Sequence, residues 1–86
     1  MITITDIQIE LIKPQGGMVG FASLVINESI YLSCIAIHKK LNATGYRLTY
    51  PSKGQFSIFH PIDKEVSRLI EEAIFSKLDS VLNRVR

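Results

Sequence analysis

The chain lacks several features that would assign it to a class of protein at once. It has no tryptophan and a single cysteine, Cys34, so no disulfide can form within its 86 residues. A cysteine without a partner in the chain is typical of proteins kept in a reducing cytoplasm, and we expect this protein to be cytoplasmic.

Neither a membrane segment nor a strong charge is present. No apolar run approaches the roughly 20 residues that a membrane helix needs, and no basic segment followed by an apolar stretch opens the sequence. We therefore expect a soluble protein with no membrane partner. Ten basic against eight acidic residues give a net charge of +2, far from that of a histone-like protein. Any affinity for nucleic acid must come from local arrangement of basic side chains.

The groups that catalysis requires do not converge. Cys34 and His38 lie four residues apart on a predicted strand, beyond easy hydrogen-bond reach, and neither they nor His60 have metal-ligand spacing. Gly16-Gly17 lacks the Lys-Ser/Thr that follows a phosphate-binding loop, and Glu71-Glu72 face different directions on a helix. The sequence predicts no catalytic site, no metal and no cofactor.

Residues 2–59 have the pattern of an antiparallel β-sheet. The isoleucines of residues 2–12 change parity near Thr5-Asp6, which indicates either a β-bulge or a frayed start. Paired glycines at 16 and 17 suit a hairpin loop, and 27–29 forms a second turn. The third strand, 30–37, is apolar on both parities, so we expect a helix on one of its faces and a second subunit on the other.

A change of period at Asp63 predicts a C-terminal helix over 63–85. Asp63 is a candidate N-cap. The apolar stripe drifts by about a quarter-turn along a wheel of 100° per residue, which predicts that the second half contacts something else or that the helix bends near Ser76-Lys77. The whole chain, 1–86, is then one α+β domain with the helix packed on a sheet of about five strands.

So short a chain buries a limited share of its surface, and a partner subunit would share the burden of the core. We therefore expect a homodimer formed through the sheet. The candidate interface residues come from the third strand and the second half of the helix: Tyr31, Ser33, Ile35, Phe75, Leu78 and Leu82.

The segment 45–62 is the most informative of the chain. It reads Gly-Tyr-Arg-Leu-Thr-Tyr-Pro-Ser-Lys and continues as Gly-Gln-Phe-Ser-Ile-Phe-His-Pro-Ile. Tyr46, Leu48 and Tyr50 alternate with polar residues, 51–54 has turn chemistry, and Phe56 resumes the apolar pattern with Ile58 and Ile62. A glycine-aromatic strand that runs into Pro-Ser-basic, followed by a short strand ending in His-Pro-Ile, resembles the SpoVG family of septation proteins.

The resemblance implies a small bacterial cytoplasmic protein whose sheet packs on a C-terminal helix and forms dimers. It also implies a regulator of septation, sporulation or gene expression that binds DNA, in some cases RNA, without enzymatic activity. The family's basic positions map here onto Lys53, Lys64 and Arg68. With the neighbouring basic residues the candidate nucleic-acid contacts are Lys39, Lys40, Arg47, Lys53, Lys64 and Arg68.

Two alternatives stay open from the residues themselves. The basic side chains are also compatible with ordinary solubilising charges, and the residues alone favour this interpretation. The chain would otherwise be a protein-interaction module in division or development, acting through a sheet edge or the apolar face of the helix.

Overall fold

The computed structural model describes residues 2–85, with side chains for 2–83. Met1 and Arg86, at the ends of the predicted domain, and the side chain of Val85, last in the predicted helical stripe, lie outside the described residues. The elements in chain order are β1 (Ile4–Gln15), β2 (Met18–Ile26), β3 (Ile30–Lys39), β4 (Tyr46–Thr49), β5 (Ser52–Lys53), β6 (Phe56–Ser57) and α1 (Lys64–Val85).

Four strands form an antiparallel sheet in the order β1-β2-β3-β4. The turn after β1 is Gly16-Gly17, with φ of 57° and 92°, and the turn after β2 uses positive φ at Asn27 and Glu28. The first turn has the positive φ at both residues that suits a two-residue hairpin, and the second is a three-residue loop, 27–29. The predicted α+β class is confirmed.

The predicted fifth strand is placed differently from the expectation. β5 and β6 pair with each other as a separate small hairpin instead of extending the sheet. Pro51 has no backbone N–H and cannot continue a ladder from β4. Its carbonyl instead accepts a 2.9 Å hydrogen bond from the Ile58 N–H, which closes the hairpin.

The parity change in β1 is a β-bulge, and the frayed start is excluded. Thr5 pairs with Val25 and Gln8 with Ser23, so β1 contains one extra residue, and Asp6 takes a φ of 52°. The extra residue returns Ile7 to the core side of the sheet.

A second bulge, which was not predicted from the sequence, corrects the interpretation of β3. Ala22 pairs with Ile35 and Leu24 with Leu32, leaving one extra residue in β3, and Cys34 has a φ of 63°. Because the bulge changes parity, Leu32 and Ile35 both face the core. Apolar residues on both parities therefore do not mean that both faces of β3 are covered within the chain: Tyr31 is 67% exposed.

The helix packs on its own sheet along its length. Ile70, Ile74 and Leu78, each separated by four residues, are at most 2% exposed, and Val66 and Leu82 pack against the same core. The expectation that the second half leaves the sheet is therefore wrong, and α1 is continuous through residues 76 and 77. A stripe with a spacing of four drifts around a helix by geometry alone, because four residues exceed one turn of 3.6.

Two of the predicted interface residues belong to this core. Ile35 and Leu78 are 0% exposed within the single chain. With no surface left, they cannot contact a partner in this fold.

The helix begins as predicted. The N–H of Glu65 donates a 3.0 Å hydrogen bond to Oδ1 of Asp63. This satisfies one of the backbone donors that the first turn leaves without a partner.

Gly20, which pairs with Leu11 of β1, sets how closely these two strands approach. A Cβ at this position would lie 2.5 Å from the Glu10 carbonyl oxygen and 3.3 Å from the Leu11 Cα. We expect Gly20→Ala to lower the free energy of unfolding in urea by about 3 kcal/mol, the upper end for overpacking, because backbone atoms must move.

Gly16→Ala is the matched control. Gly16 has a φ of +57°, and no other atom lies within 4 Å of the position that a Cβ would take. It should cost about 1 kcal/mol, from the left-handed conformation alone. Equal losses for the two variants would contradict the close approach at Gly20.

Candidate nucleic-acid interface

Acidic residues are absent from one long stretch of the sequence. Between Glu28 and Asp63 there is no aspartate or glutamate, while four basic residues occur: Lys39, Lys40, Arg47 and Lys53. We call residues 29–62 the acid-free segment. The four basic residues were predicted as nucleic-acid contacts, whereas the signal that sets them apart, the absence of acids among them, was missed.

The fold converts this stretch into one side of the molecule. The acid-free segment comprises β3, the edge strand β4 and the β5–β6 hairpin. The acidic residues belong to β1, the turn after β2, and the region of α1. The β3–β4 edge of the sheet is therefore the positive one.

Within this edge, Arg47 is positioned by the register of β4. It pairs directly with His38 of β3, so both side chains lie on the face of the sheet opposite the helix, which we call the open face. Arg47 is exposed, and His38 is held by a 2.8 Å hydrogen bond between its Nε2 and Oγ1 of Thr49.

Lys39 and Lys40 lie where β3 ends. Lys39 pairs with Tyr46, and the N–H of Lys40 donates to the Gly45 carbonyl at 3.1 Å, which closes the loop 40–45. Both lysines are exposed. Lys39, the last residue of β3, lies with Tyr46 on the helix side of the sheet, and Lys40 lies just past the end of the strand, so the basic edge carries charge on both sides.

The two helical candidates lie elsewhere. Lys64 and Arg68 are exposed and one turn apart, on the side of α1 away from the partly buried Val66 and the buried Ile70. The helix covers one face of the sheet and Arg47 lies on the other. The six predicted nucleic-acid residues therefore do not form one cluster: Lys64 and Arg68 are separated from Arg47 by both layers of the fold.

The β5–β6 hairpin is fixed at its base and exposed at its tip. The rings of Tyr50 and Phe59 meet edge to face, with centroids 6.1 Å apart and planes at 70°, and both pack against the core. Burial raises the pKa of Tyr50 to about 12, and the Glu71 carboxylate adds to the rise. At the tip, Lys53 pairs directly across the hairpin with Phe56.

The apolar residues that resume the pattern after the turn are exposed. Phe56 is 73% exposed, Ile58 63% and Ile62 93%. Because the hairpin is not part of the main sheet, alternation along it does not place one face on the core.

The open face carries the groove in which two predicted interface residues lie. It has a volume of about 330 Å³ and is lined by residues of β1, β2 and β3, including Glu10, Phe21, Tyr31, Ser33 and Cys34. The other two surface candidates are on the helix side of the sheet: Phe75 and Leu82 are partly buried against the core. The six predicted interface residues thus form no single surface.

Neither a membrane-spanning helix nor a metal cluster occurs in the described part of the chain. Within residues 2–85, no helix is long and apolar enough to cross a membrane. Among the same residues, no three His, Cys, Asp or Glu side chains lie together as a metal ion would require.

The fold defines the chain as a small α+β protein whose antiparallel sheet carries a single C-terminal helix and a basic edge. No family model matches it. It is similar to a curated protein of Phytoplasma australiense named "Putative septation protein SpoVG", with 32% identity over 85 residues, 93% of this chain and 86% of the relative. The chain belongs to the SpoVG family.

The pKa of His38 tests the geometry of the positive edge. Burial lowers it below the ordinary value of 6.5, and the guanidinium of Arg47 lowers it further. We expect an NMR titration of Arg47→Gln to show a higher pKa for His38 that stays below 6.5, because burial is the larger cause.

Arg68→Gln, on the outer side of the helix, is the control and should leave that pKa unchanged. The folded state disfavours the charged imidazole, so below pH 6.5 the unfolded chain binds more protons at His38 than the folded protein does. The free energy of unfolding should therefore decrease as the pH falls below 6.5. An unchanged pKa in Arg47→Gln would show that the two side chains do not share one face.

Proposed function

We propose that the protein is a dimeric, non-enzymatic cytoplasmic regulator that binds DNA or RNA and acts in septation, sporulation or gene regulation. The observation that carries the proposal is the acid-free segment folded into one edge of the sheet. The septation role rests on the family and on the name of the Phytoplasma relative.

The electrostatic argument is one of local charge. Four basic side chains with no acid between them in sequence attract a polyanion in spite of the modest net charge. At physiological salt, charges farther away than about 8 Å are largely screened. We therefore assign the main phosphate contacts to Lys39, Lys40, Arg47 and Lys53.

Lys64 and Arg68 have a smaller role in this proposal. Asp63 and Glu65 flank Lys64, and Arg68 lies one helical turn from Glu65 and Glu72, so carboxylates oppose the field of both basic residues. Contacts of lysine and arginine with phosphate carry no sequence information, so the basic edge provides affinity rather than specificity.

Dimerisation is proposed to occur through the open face. This face has no helix on it and presents Phe21, Val25 and the exposed Tyr31 on adjacent strands. Tyr31 and Arg47 are toward opposite ends of the face, because Arg47 pairs with His38, seven residues along β3 from Tyr31. At about 3.3 Å per residue, that separates them by roughly 20 Å. A dimer joined near Tyr31 leaves both basic edges accessible.

The charge assignment is tested with two quadruple variants of equal net charge. Lys39→Gln/Lys40→Gln/Arg47→Gln/Lys53→Gln should weaken binding to a 20-base-pair DNA about tenfold or more. It should also lower the slope of log K against log salt by up to about 0.9 for each phosphate that is no longer neutralised. The measurement is fluorescence anisotropy across a salt series, repeated with RNA.

The control removes four basic residues outside the acid-free segment: Lys13→Gln/Lys64→Gln/Arg68→Gln/Lys77→Gln. It should retain most of the affinity and the slope. Equal weakening by both variants would show that net charge alone governs binding and would overturn the assignment.

The dimer is tested by its mass in solution. Light scattering should give about twice the 9.7 kDa of one chain. Tyr31→Asp should weaken association by about tenfold or more, because a charge would be buried at the proposed interface. The control is Leu41→Asp, since Leu41 is 89% exposed in the loop after β3. A dimer unaffected by Tyr31→Asp would exclude this part of the open face.

A protein-interaction module is the second candidate. The observation that favours it is the exposure of three large apolar side chains close together in sequence, Phe56, Ile58 and Ile62. Such a module would tolerate the quadruple charge variant and would lose its partner on Ile62→Asp. Phe75 and Leu82 are less suitable probes, because polar substitutions there would also disturb the core.

A further inference from the structure

We propose that the tip of the β5–β6 hairpin binds an unpaired nucleotide, with the ring of Phe56 stacking on the base and the ammonium group of Lys53 contacting the adjacent phosphate. This inference rests on the proposed function and specifies its substrate as single-stranded nucleic acid.

The first argument is the pairing of the two side chains. Lys53 and Phe56 are direct partners across the hairpin, so their side chains extend from neighbouring positions on the same face. Phe56 is 73% exposed and Lys53 is exposed. An aromatic ring beside a cation is the combination with which proteins bind a base and its phosphate without reading sequence.

The second argument is that the hairpin is held rigid without using this ring. Two-residue strands are not stable by themselves in water. Here the Tyr50 and Phe59 rings and the hydrogen bond from the Ile58 N–H to the Pro51 carbonyl fix the base. Phe56 takes no part in that anchor and is absent from the residues packed on the core. Its ring is therefore available to a ligand.

The third argument is charge. The hairpin lies within the acid-free segment, and Glu71, the acid whose charge reaches Tyr50, is at its base, whereas Lys53 and Phe56 are at its tip. The binding of an apolar protein partner would not account for a lysine, Lys53, directly beside the ring. The charge complementarity favours a polyanion over an apolar peptide.

The preference for single strands follows from access. In a duplex the faces of the bases are covered by their neighbours, and only unpaired bases present a face to an aromatic side chain. Stacking on Phe56 should therefore increase affinity for a single strand and leave duplex binding to the basic edge alone.

The experiment compares three substitutions at one exposed position. Phe56→Trp keeps a planar ring, Phe56→Leu keeps an apolar side chain without one, and Phe56→Ala removes both. Each is titrated at low salt with a 20-nucleotide oligo(dT), a 20-nucleotide oligo(U) and a 20-base-pair duplex. Thermal unfolding checks that each variant retains its Tm.

We expect Phe56→Ala and Phe56→Leu to weaken single-strand binding by roughly 5- to 150-fold, the range for loss of one stacked base. Phe56→Trp should bind at least as tightly as the natural protein. Duplex affinity should change less than about twofold in all three, because the phosphate contacts of the basic edge remain.

Fluorescence gives an independent readout. The natural chain has no tryptophan, so Phe56→Trp introduces a single tryptophan, whose selectively excited emission oligo(dT) should quench by stacking. The control is Leu41→Trp, also exposed and within the acid-free segment. It should be quenched much less, because its loop is not part of the proposed platform.

The outcomes separate the inference from the proposed function. Equal affinity of Phe56→Ala and the natural protein for single strands, with binding retained, would overturn the base-stacking site and leave the regulator standing. If Phe56→Leu binds single strands as well as Phe56→Trp, a planar ring is not required, and the base-stacking site is overturned as well. Absence of binding to all three nucleic acids at low salt would overturn both.

Discussion

The structure depends on one contact, the packing of a single helical stripe on one face of a four-stranded sheet. Ile70, Ile74 and Leu78 of α1 bury themselves against Leu24, Ile35 and Ile37. A single helix can cover only one face of the four-stranded sheet, so the large apolar residues of the strands must lie on that face. The bulges at Asp6 and Cys34 do this, because each corrects the parity of a strand whose apolar residues would otherwise divide between the faces.

The same arrangement determines where a partner has access. Because the helix occupies one face, the opposite face of the sheet is the surface on which Tyr31 and Arg47 are displayed, toward opposite ends. The order of the elements along the chain then determines where the basic residues lie in the fold. β3, β4 and the hairpin follow one another along the chain, so a stretch without acids becomes one edge of the fold, and the acid whose charge reaches it, Glu71, comes from α1. A topology with a long crossover between these elements would have dispersed the same four basic residues.

Several local features could be predicted because short-range chemistry decides them. Asp63 caps the helix, since its carboxylate accepts from the N–H two residues along, and Gly16-Gly17 forms the first turn, since both residues need positive φ. The bulge near Asp6 was predicted as one of two alternatives, because the isoleucines of β1 change parity at this point in the sequence. β3 also has apolar residues on both parities, but it was interpreted differently. Such a strand fits either a bulge or two covered faces. Only the pairing of β3 with β2 excludes the second interpretation within the chain.

The sequence by itself determined the α+β class, the helix with its cap, the hairpin turns, the family and the identity of the basic residues, because these depend on residue types and short spacings. The tertiary structure decided which of those residues share a surface. It assigned Ile35 and Leu78 to the core, divided the basic residues between the sheet edge and the outer side of the helix, and left Phe56 exposed beside Lys53. The reason is geometric: spacing along a chain fixes the face of one element, while which faces meet, and which remain open to a ligand, depends on how the elements pack together.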